Sequence, residues 1–475
     1  MECDELYFLK AMITQLGARV GGLEYELRVR DIRIEELERE NATLRKRLEE
    51  QAPPPGPPPF VKPAVKRGRR KRPGRQAGHE AALRPPPKID RTVKVPLPED
   101  KRGRALCPHC RGDLKKLKRH RRVVEDLIPA HLLVTRYHTA SGYCPRCKKR
   151  VESRAKGQPP AADVPQAQLG VNALCTAAVL RVENRLPFRQ VARLLADTVG
   201  LNVCAGGVAR QLQRMGRWLA GEYDRLRVRL RSSRSVHGDE TSWRNDGANQ
   251  WLWTACDRLH TLYHVDKSRS GKVIRGLLGE AFGGTLVCDF YAGYDAMNCP
   301  KQRCCTHLLR ELKDTAKESP SFAGHAFYPR CKRLVKDLLR LKARWDELDR
   351  EDYPRKGRRL EERLGRLGQE FAGDTDPDVK RIAARLLRYR KELTAFLWDK
   401  QVDGTNNAAE RALRPPVVFR KITGGSRSTA GADAWATLAS VLRTARQQGR
   451  HVLDTLKTLL ERSWSGQEPG FLASG

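Results

Sequence analysis

The first 51 residues repeat apolar side chains every three or four positions. Arg30 and Asn41 occupy the two polar positions of a series whose apolar members are Leu16, Val20, Leu23, Leu27, Ile34, Leu37, Leu44 and Leu48. A seam sustained over more than four heptads is typical of a coiled coil, and a single core Asn favours a parallel pair of fixed register. We expect residues 1–51 to form a dimerisation helix. The alternative is an amphipathic helix packed on its own domain.

A different pattern begins at Ser235 and predicts a sheet. Short apolar runs bounded by turn residues indicate strands over 235–243, 250–256 and 261–265, followed by a helix over about 271–282. After Gly283 and Gly284 another apolar run ends at Asp289, which indicates a buried strand with a carboxylate at its C-terminal edge. Three strands, a helix and a fourth strand are the order of elements in the ribonuclease H-like fold, which would place Asp239 beside Asp289.

The chain therefore predicts an α/β catalytic core with several N-terminal modules. A helical region at 165–230 precedes the core, with Pro187 opening one helix, Gly200 ending it and another starting near Ala205. Either a helix-turn-helix or a plain helical bridge fits this region. The expected segments are a coiled coil at 1–51, a linker at 52–98, a ribbon at 99–155, the helical region at 165–230, the core at 231–460 with a helical insertion at about 320–400, and a tail at 461–475.

The linker begins with a proline-rich spacer and continues as a basic arm. Its charged positions are Lys66, Arg67, Arg69, Arg70, Lys71 and Arg72. Such an arm is either a solvated tail or a sequence-independent contact with phosphates or the minor groove. We favour the DNA contact because the whole chain is basic.

Two CxxC pairs, Cys107 with Cys110 and Cys144 with Cys147, lie on either side of a basic stretch. Two intervening residues let both sulfurs of a pair face one ion, and four thiolates close a tetrahedral site. We expect a structural Zn²⁺ ribbon. Exchange of thiols is a weaker interpretation, since it does not account for two matched pairs.

The overall charge indicates a polyanionic partner. A formal net charge of +36 on 475 residues and a pI near 10.1 favour nucleic acid, while 8 Trp and 39% hydrophobic residues permit a sizeable core. The sequence lacks the ~20 consecutive apolar residues of a membrane span. We expect a cytoplasmic, nucleoid-associated protein, with its cysteines as thiols or metal ligands.

Three acids stand where the pattern calls for apolar residues: Asp239, Asp289 and Glu410. Carboxylates are the ligands that Mg²⁺ or Mn²⁺ prefers. Two such ions ~3.5–4 Å apart can serve an in-line displacement at phosphorus. We expect these three residues to hold the catalytic metal, and we expect the basic residues beside Glu410 to grip DNA, namely Arg411, Arg414, Arg420 and Lys421.

Several neighbours have a structural alternative. Glu240 should face away from Asp239 and form a salt bridge or a helix contact rather than bind metal, because successive strand side chains alternate. His307 could contact a phosphate or fill space between helices, and Tyr291 and Tyr294 are expected in the core rather than stacked on a base. Three further acids have structural explanations, which are a hairpin turn for Asp257, a helix start for Asp295 and an N-cap near Gly404 for Asp403.

In several segments the chain resembles transposases of the insertion sequence 66 family. The matching segments are 237–241 (HGDET), 289–294 (DFYAGY), 304–307 (CCTH) and 406–415 (NNAAERALRP). The resemblance implies a DDE-type recombinase with Asp239, Asp289 and Glu410 as metal ligands. It also implies double-stranded DNA as partner, both at the inverted-repeat ends of its own element and as target, and accessory proteins of the same element. A non-catalytic zinc-containing DNA-binding regulator is the competing interpretation, and a domesticated or inactivated element is a third.

Deleting residues 1–51 should abolish dimerisation and leave the remaining chain folded, because the proline-rich spacer separates the two. Sedimentation of the full and truncated chains measures this. An unchanged oligomer in the truncated chain would place the interface elsewhere.

Overall fold

The computed structural model describes residues 169–472 continuously and shorter stretches before them. Those stretches are 16–17, 19–23, 26–27, 30–31, 34–43, 92, 99–103, 132–136, 141–146 and 148–152. The chain divides into two units, 1–122 and 123–475. No helix among these residues is long and apolar enough to cross a membrane.

In the first unit, the described residues between 16 and 43 are helical. Six of the predicted seam positions are between 41% and 60% exposed: Leu16, Val20, Leu23, Leu27, Ile34 and Leu37. An apolar stripe left open on a single chain is what a pairing helix presents. The dimer nevertheless stays a prediction.

The second unit contains a two-stranded hairpin, β1 (Ser141–Cys144) and β2 (Lys149–Glu152), in which Cys144 pairs with Lys149. Cys144, the first cysteine of the second predicted CxxC pair, is the last residue of β1. Cys107, Cys110 and Cys147 lie outside the described residues.

Four helices then precede the sheet: α1 (Val171–Val182), α2 (Phe188–Val199), α3 (Ala205–Trp218) and α4 (Ala220–Arg231). Pro187 caps the start of α2, and Gly200 ends it in the left-handed conformation with φ of 72°. Both helix boundaries predicted from the sequence are confirmed here.

The central sheet follows. Its strands are β3 (Ser235–Asn245), β4 (Ala248–Cys256), β5 (Thr261–Asp266), β6 (Thr285–Cys288) and β7 (Lys301–Arg303), arranged in the order β5-β4-β3-β6-β7. The hairpins β3-β4 and β4-β5 are antiparallel, whereas β6 runs parallel to β3 and β7 parallel to β6. α5 (Gly271–Leu278) crosses from β5 to β6. The predicted order of three strands, a helix and a fourth strand is confirmed. The three-residue strand β7 was not predicted.

A helical region separates β7 from the last helices. It contains α6 (Cys305–Glu318), α7 (Pro320–Gly324), α8 (Phe327–Ala343), α9 (Asp352–Glu370), α10 (Pro377–Arg388) and α11 (Arg390–Thr394). Their apolar faces enclose a second hydrophobic core that includes Leu308, Phe327, Leu338, Leu364 and Leu386. The helical character expected of the insertion is present.

Three helices complete the described chain: α12 (Asn407–Thr423), α13 (Thr429–Gln447) and α14 (Val452–Trp464). α13 covers the edge strand β5, where the Ser440 and Thr444 hydroxyls accept hydrogen bonds from Tyr263 N (2.8 Å) and Thr261 N (3.1 Å). Side-chain oxygens thus satisfy the edge N–H groups that another strand would otherwise pair.

α14 extends past the predicted tail boundary at 461, and residues 470–472 pack against the protein. The Glu222 carboxylate accepts hydrogen bonds from the backbone N–H groups of Gly470, Phe471 and Leu472. Leu472 is fully buried.

The first hydrophobic core joins the N-terminal helices to the sheet. Leu174, Met215, Leu230, Trp253 and Leu442 all belong to it. Within it, α3 and α13 approach each other closely at Gly216, where an added Cβ would lie 2.7 Å from Ala434 Cα. Only glycine allows the two backbones this separation.

Gly216→Ala should therefore destabilise the protein. Alanine favours a helix by up to ~1 kcal/mol, but overpacking against a backbone atom costs about 1–3 kcal/mol, so the clash decides the sign. Gly206→Ala in the same helix is the matched control, because nothing lies within 4 Å of its added Cβ. Denaturant unfolding of both variants checks the prediction, which would be wrong if Gly216→Ala were as stable as Gly206→Ala.

Candidate metal centre and nucleic-acid surface

Asp239 and Asp289 are brought together by the parallel pairing of β3 with β6. Ser235 pairs with Thr285 and His237 with Val287. The same register, continued by two residues on each strand, sets Asp239 beside Asp289. Asp239 lies within β3, while Asp289 is the first residue after β6.

The turn after β6 is fixed from two sides. Asp289 Oδ1 accepts a hydrogen bond from Tyr291 N (2.9 Å), and its backbone oxygen accepts one from Arg303 Nη1 (2.8 Å). Arg303 is fully buried in β7 and also pairs with Asp295 and Glu392. This anchoring role of Arg303 was not anticipated, because nothing local in the sequence shows that β7 lies beside β6.

Glu410 lies in the first turn of α12, and Asn406 fastens that turn to the sheet. Asn406 is fully buried; its Nδ2 donates to the Gly238 carbonyl (2.8 Å) and its N–H donates to Cys304 Sγ (3.1 Å). Its Oδ1 lies 3.3 Å from His237 Nδ1. The start of α12 is thereby held next to the residue that precedes Asp239.

His307 and Arg310 of α6 complete the surroundings of Glu410. His307 Nδ1 lies 3.7 Å from Glu410 Oε1, and Arg310 Nη2 lies 3.8 Å from Glu410 Oε2. A cleft in front of Asp289 is lined by His307 and Arg310 together with Arg269, Tyr291 and Arg385. His307 is thus a site residue in addition to a packing residue.

The electrostatics show that acidic charge accumulates here. Burial, then the charge of Glu240 and that of Asp289, raise the pKa of Asp239 to about 7 from its ordinary 3.8. Perturbation of this kind is typical of functional sites, although structural clusters also produce it.

Cys304 was predicted only as part of a motif, and the structure gives it a place at the site. Among the described residues, Cys304, His307 and Glu410 each offer one ligand atom within 4.8 Å of the others, whereas Asp239 and Asp289 are not in that group. Burial opposes ionisation of the Cys304 thiol, but the neighbouring His307 and the hydrogen bond from the Asn406 N–H outweigh it and lower the pKa. The Cys304 sulfur and the Asp289 and Glu410 carboxylates raise the pKa of His307 against the effect of burial.

The neighbouring acids have structural partners. Glu240 bonds Arg269 (2.8 Å) and the Tyr294 hydroxyl (2.5 Å), as its predicted salt bridge requires. Asp257 caps its hairpin turn by accepting hydrogen bonds from Leu259 N and His260 N.

Two acids differ in detail from expectation. Asp295 lies in a 3₁₀ helix, Ala292–Ala296, and pairs with buried Arg303. Asp403 is not the cap of α12, which is Asn406. Instead, its carboxylate lies 3.4 Å from His237 Nε2.

The two tyrosines divide between core and cleft. Tyr294 is fully buried, as predicted. Tyr291 is half-buried and lines the cleft, where its hydroxyl donates to the Arg269 carbonyl (2.8 Å) and the Arg269 guanidinium lies 4.2 Å from its ring centroid.

The basic residues of α12 point in different directions. Arg414 and Lys421 are exposed and follow Glu410 by 4 and 11 positions, which places them along the same helix face. Arg420 instead bonds β3, donating to the Ser242 carbonyl and to Ser242 Oγ (2.6 Å). These contacts hold Arg420 against β3, and its predicted contact with DNA stays a prediction. Lys66, Arg67, Arg69, Arg70, Lys71 and Arg72 lie outside the described residues.

Arg411 faces a second, larger cleft. Residues one apart in a helix diverge by about 100°, and Arg411 accordingly lines a space shared with His237, Arg258, Lys400 and Arg443. The cleft also contains Asp257 and Asp403, which have partners of their own. Among its charged lining residues, the lysine and arginines outnumber the acids.

Asp239→Asn tests the cost of the buried charge. Since the folded pKa of about 7 exceeds the ordinary 3.8, the folded protein keeps a proton that the unfolded chain releases, and the unfolding free energy of the wild type falls as pH rises through this interval. Without added Mg²⁺ the variant should melt above the wild type at about pH 8, and the gain should shrink toward about pH 5.

Asp257→Asn is the control, measured by the same thermal melts. Burial opposes its charge, but hydrogen bonds from His260 and Ser233 outweigh burial and lower its pKa, so its substitution should destabilise at about pH 8. A pH-independent difference for Asp239→Asn would contradict the assigned charge state.

Comparison with known proteins places these features in a family. The family model described as "Transposase IS66 family" matches residues 166–434. A second, "zinc-finger binding domain of transposase IS66", matches residues 105–148 and so includes all four CxxC cysteines.

Three uncharacterized proteins of Sinorhizobium fredii are similar to the chain. The protein y4qI is 26% identical over a match that covers 62% of this chain and 59% of its own length. The protein y4jD is 24% identical, with 76% of this chain and 75% of its own length covered. The protein y4hP is 25% identical, with 75% of this chain and 71% of its own length covered. The match to y4qI thus covers less than two thirds of that relative. Because the transposase model covers more than half of the 475 residues, the chain belongs to the IS66 family of transposases and carries that family's zinc-finger domain.

Proposed function

We propose that this protein is a DNA transposase that binds the terminal inverted repeats of its insertion sequence and catalyses metal-dependent strand cleavage and strand transfer. The observation that carries the proposal is the register of β3 and β6, which sets Asp239 beside Asp289 while Asn406 ties the helix of Glu410 to the same strand. A DNA-binding regulator has no need of such an arrangement.

The sheet supports a ribonuclease H-like core. Three antiparallel strands lie on one side, and two short strands run parallel to the central β3 on the other. In such a sheet the acids at β3 and β6 share one edge, and a helix returning from an insertion can deliver the third.

The residues present fit a hard divalent cation, Mg²⁺ or Mn²⁺. Asp239, Asp289 and Glu410 offer carboxylate oxygens, and Glu410 Oε1 is a buried atom without a hydrogen-bond partner. Burial and the charges of Glu240 and Asp289 raise the pKa of Asp239. A bound cation would oppose this effect by favouring the charged carboxylate. When bound, such ions stabilise the attacking and leaving oxygens of an in-line displacement at phosphorus.

The protein's own side chains would position the DNA. Arg310 and Arg385 line the cleft in front of Asp289, where guanidinium groups suit phosphate oxygens. Arg414 and Lys421 continue the positive surface along the face of Glu410, and Arg411 contributes to the second basic cleft. The N-terminal basic arm would add sequence-independent affinity.

The remaining modules complete the proposal. Cys107, Cys110, Cys144 and Cys147 would bind the structural Zn²⁺ of the zinc-finger domain. The N-terminal helix would pair two copies, the protein would act at the nucleoid, and proteins of the same element would assist it.

Substitution of the acids separates chemistry from binding. Asp239→Asn, Asp289→Asn and Glu410→Gln each remove an anionic ligand with little change in size, so Mg²⁺-dependent nicking of an element-end duplex should disappear. Gel-shift affinity should survive or rise, because lysines and arginines dominate binding. Glu280→Gln, which removes an exposed charge elsewhere, is the control. Wild-type cleavage in any of the three acid variants would remove that residue from the site.

Substitution of basic residues should, in contrast, reduce the affinity for DNA. Arg414→Ala or Lys421→Ala should weaken both binding and nicking, and should lower the slope of log K against log salt by about one. Unchanged salt dependence would exclude a phosphate contact.

A further inference from the structure

The group formed by Cys304, His307 and Glu410 has a composition that a magnesium site does not need. Cys304 caps the start of α6, and His307 follows it by three positions, so both lie on one side of the first helical turn. Glu410 reaches the same point from α12. One ligand atom from each residue lies within 4.8 Å of the others.

The donor set selects a softer ion than Mg²⁺. Thiolate and imidazole favour Zn²⁺, whereas Mg²⁺ takes oxygen ligands. Sulfur, nitrogen and oxygen from three residues leave a fourth tetrahedral position open, an arrangement that differs from a closed four-cysteine site.

Two of the donor atoms, His307 Nδ1 and Glu410 Oε1, face each other at 3.7 Å. Both are buried, and neither has a hydrogen bond. Polar atoms in that condition are uncommon, because leaving a buried polar group unpaired costs free energy. A cation between them would satisfy both.

The third donor is held in place and the group is accessible. Cys304 is fully buried, and its sulfur accepts a hydrogen bond from Asn406 N at 3.1 Å, a supporting contact of the kind that orients metal ligands. The side chains of His307 and Glu410 are 27% and 25% exposed, so an ion can reach the sulfur from the cleft.

We propose that Cys304, His307 and Glu410 bind one Zn²⁺, separately from the zinc of the zinc-finger domain. A further consequence rests on the proposed function: Zn²⁺ held here engages Glu410 and withdraws it from Mg²⁺, so the same ion inhibits strand cleavage. The zinc-finger site would use four cysteines and have a structural role, whereas the second site would use a cysteine, a histidine and a glutamate and would inhibit cleavage.

Metal content of the full chain tests the site directly. Protein equilibrated with a small excess of Zn²⁺ and freed of unbound metal should contain two zinc ions per chain in the wild type and one in Cys304→Ser or His307→Gln. Cys299→Ser, a half-buried cysteine outside the group, should retain two, and melting curves of all variants monitor folding.

Cobalt gives a second readout that does not depend on cleavage. Adding Co²⁺ to protein whose zinc-finger domain is already filled should produce a thiolate charge-transfer band in the wild type and in Cys299→Ser. The band should be absent from Cys304→Ser. In His307→Gln, the apparent affinity for Co²⁺ should be at least about tenfold lower than in the wild type. One zinc per wild-type chain, or an unchanged band in folded Cys304→Ser, would overturn the site.

Inhibition is measured as the ratio of nicking with and without Zn²⁺ at constant Mg²⁺ within each variant. We expect a reduction of about tenfold or more in the wild type and little change in Cys304→Ser. Equal inhibition in both would reject the competition for Glu410. Absence of any Mg²⁺-dependent nicking in the wild type would reject the proposed function, while the metal counts would still decide the zinc site.

Discussion

The hydrogen bonds of Asn406 are the contacts on which the rest of the site depends. One amide side chain and its own N–H join three parts of the chain that are far apart in sequence: Gly238 in the strand of Asp239, Cys304 before α6, and the start of α12. All of these groups are buried. A buried amide that loses its hydrogen-bond partners costs about 1–3 kcal/mol. The contacts of Asn406 therefore favour a single arrangement of α12 against the sheet, and this arrangement fixes the position of Glu410, one turn further along α12.

The same site brings the carboxylates of Asp239, Glu240 and Asp289 close together, which is electrostatically unfavourable. Burial and neighbouring acids raise the pKa of Asp239, so its charged carboxylate lowers stability at a place where the proposed chemistry would use it. Arg303 holds the turn of Asp289 by binding the Asp289 carbonyl, Asp295 and Glu392 from within the core. A bound cation would favour the charged form of Asp239. The fold thus holds the carboxylates in place by neutral hydrogen bonds and a buried arginine, and leaves their charge for a ligand.

The sequence predicted elements whose signals are local. Pro187 and Gly200 mark the ends of α2, and apolar runs mark β3 to β6, because caps and periodicity act within a few residues. The salt bridge of Glu240 followed from strand alternation. The sequence failed where the cause lies elsewhere in the chain: β7 is three residues long, and the roles of Arg303 and Asn406 appear only once β7 and α12 lie against β3 and β6. The contact of Arg420 with Ser242 likewise appears only in the structure.

The contacts of Asn406 also explain why a carboxylate, that of Glu410, and a thiol, that of Cys304, lie side by side. Cys304 sits at the start of α6 because its backbone N–H bonds the Cys288 carbonyl at the end of β6, and Asn406 donates to its sulfur. The residue that orders the approach of α12 to the sheet therefore also orders a thiol next to Glu410. His307 belongs to the same group, and the Cys304 sulfur together with the Asp289 and Glu410 carboxylates raises its pKa. Glu410 belongs both to the carboxylates proposed for Mg²⁺ and to the group formed with Cys304 and His307, so a metal bound by either set would compete for the same carboxylate.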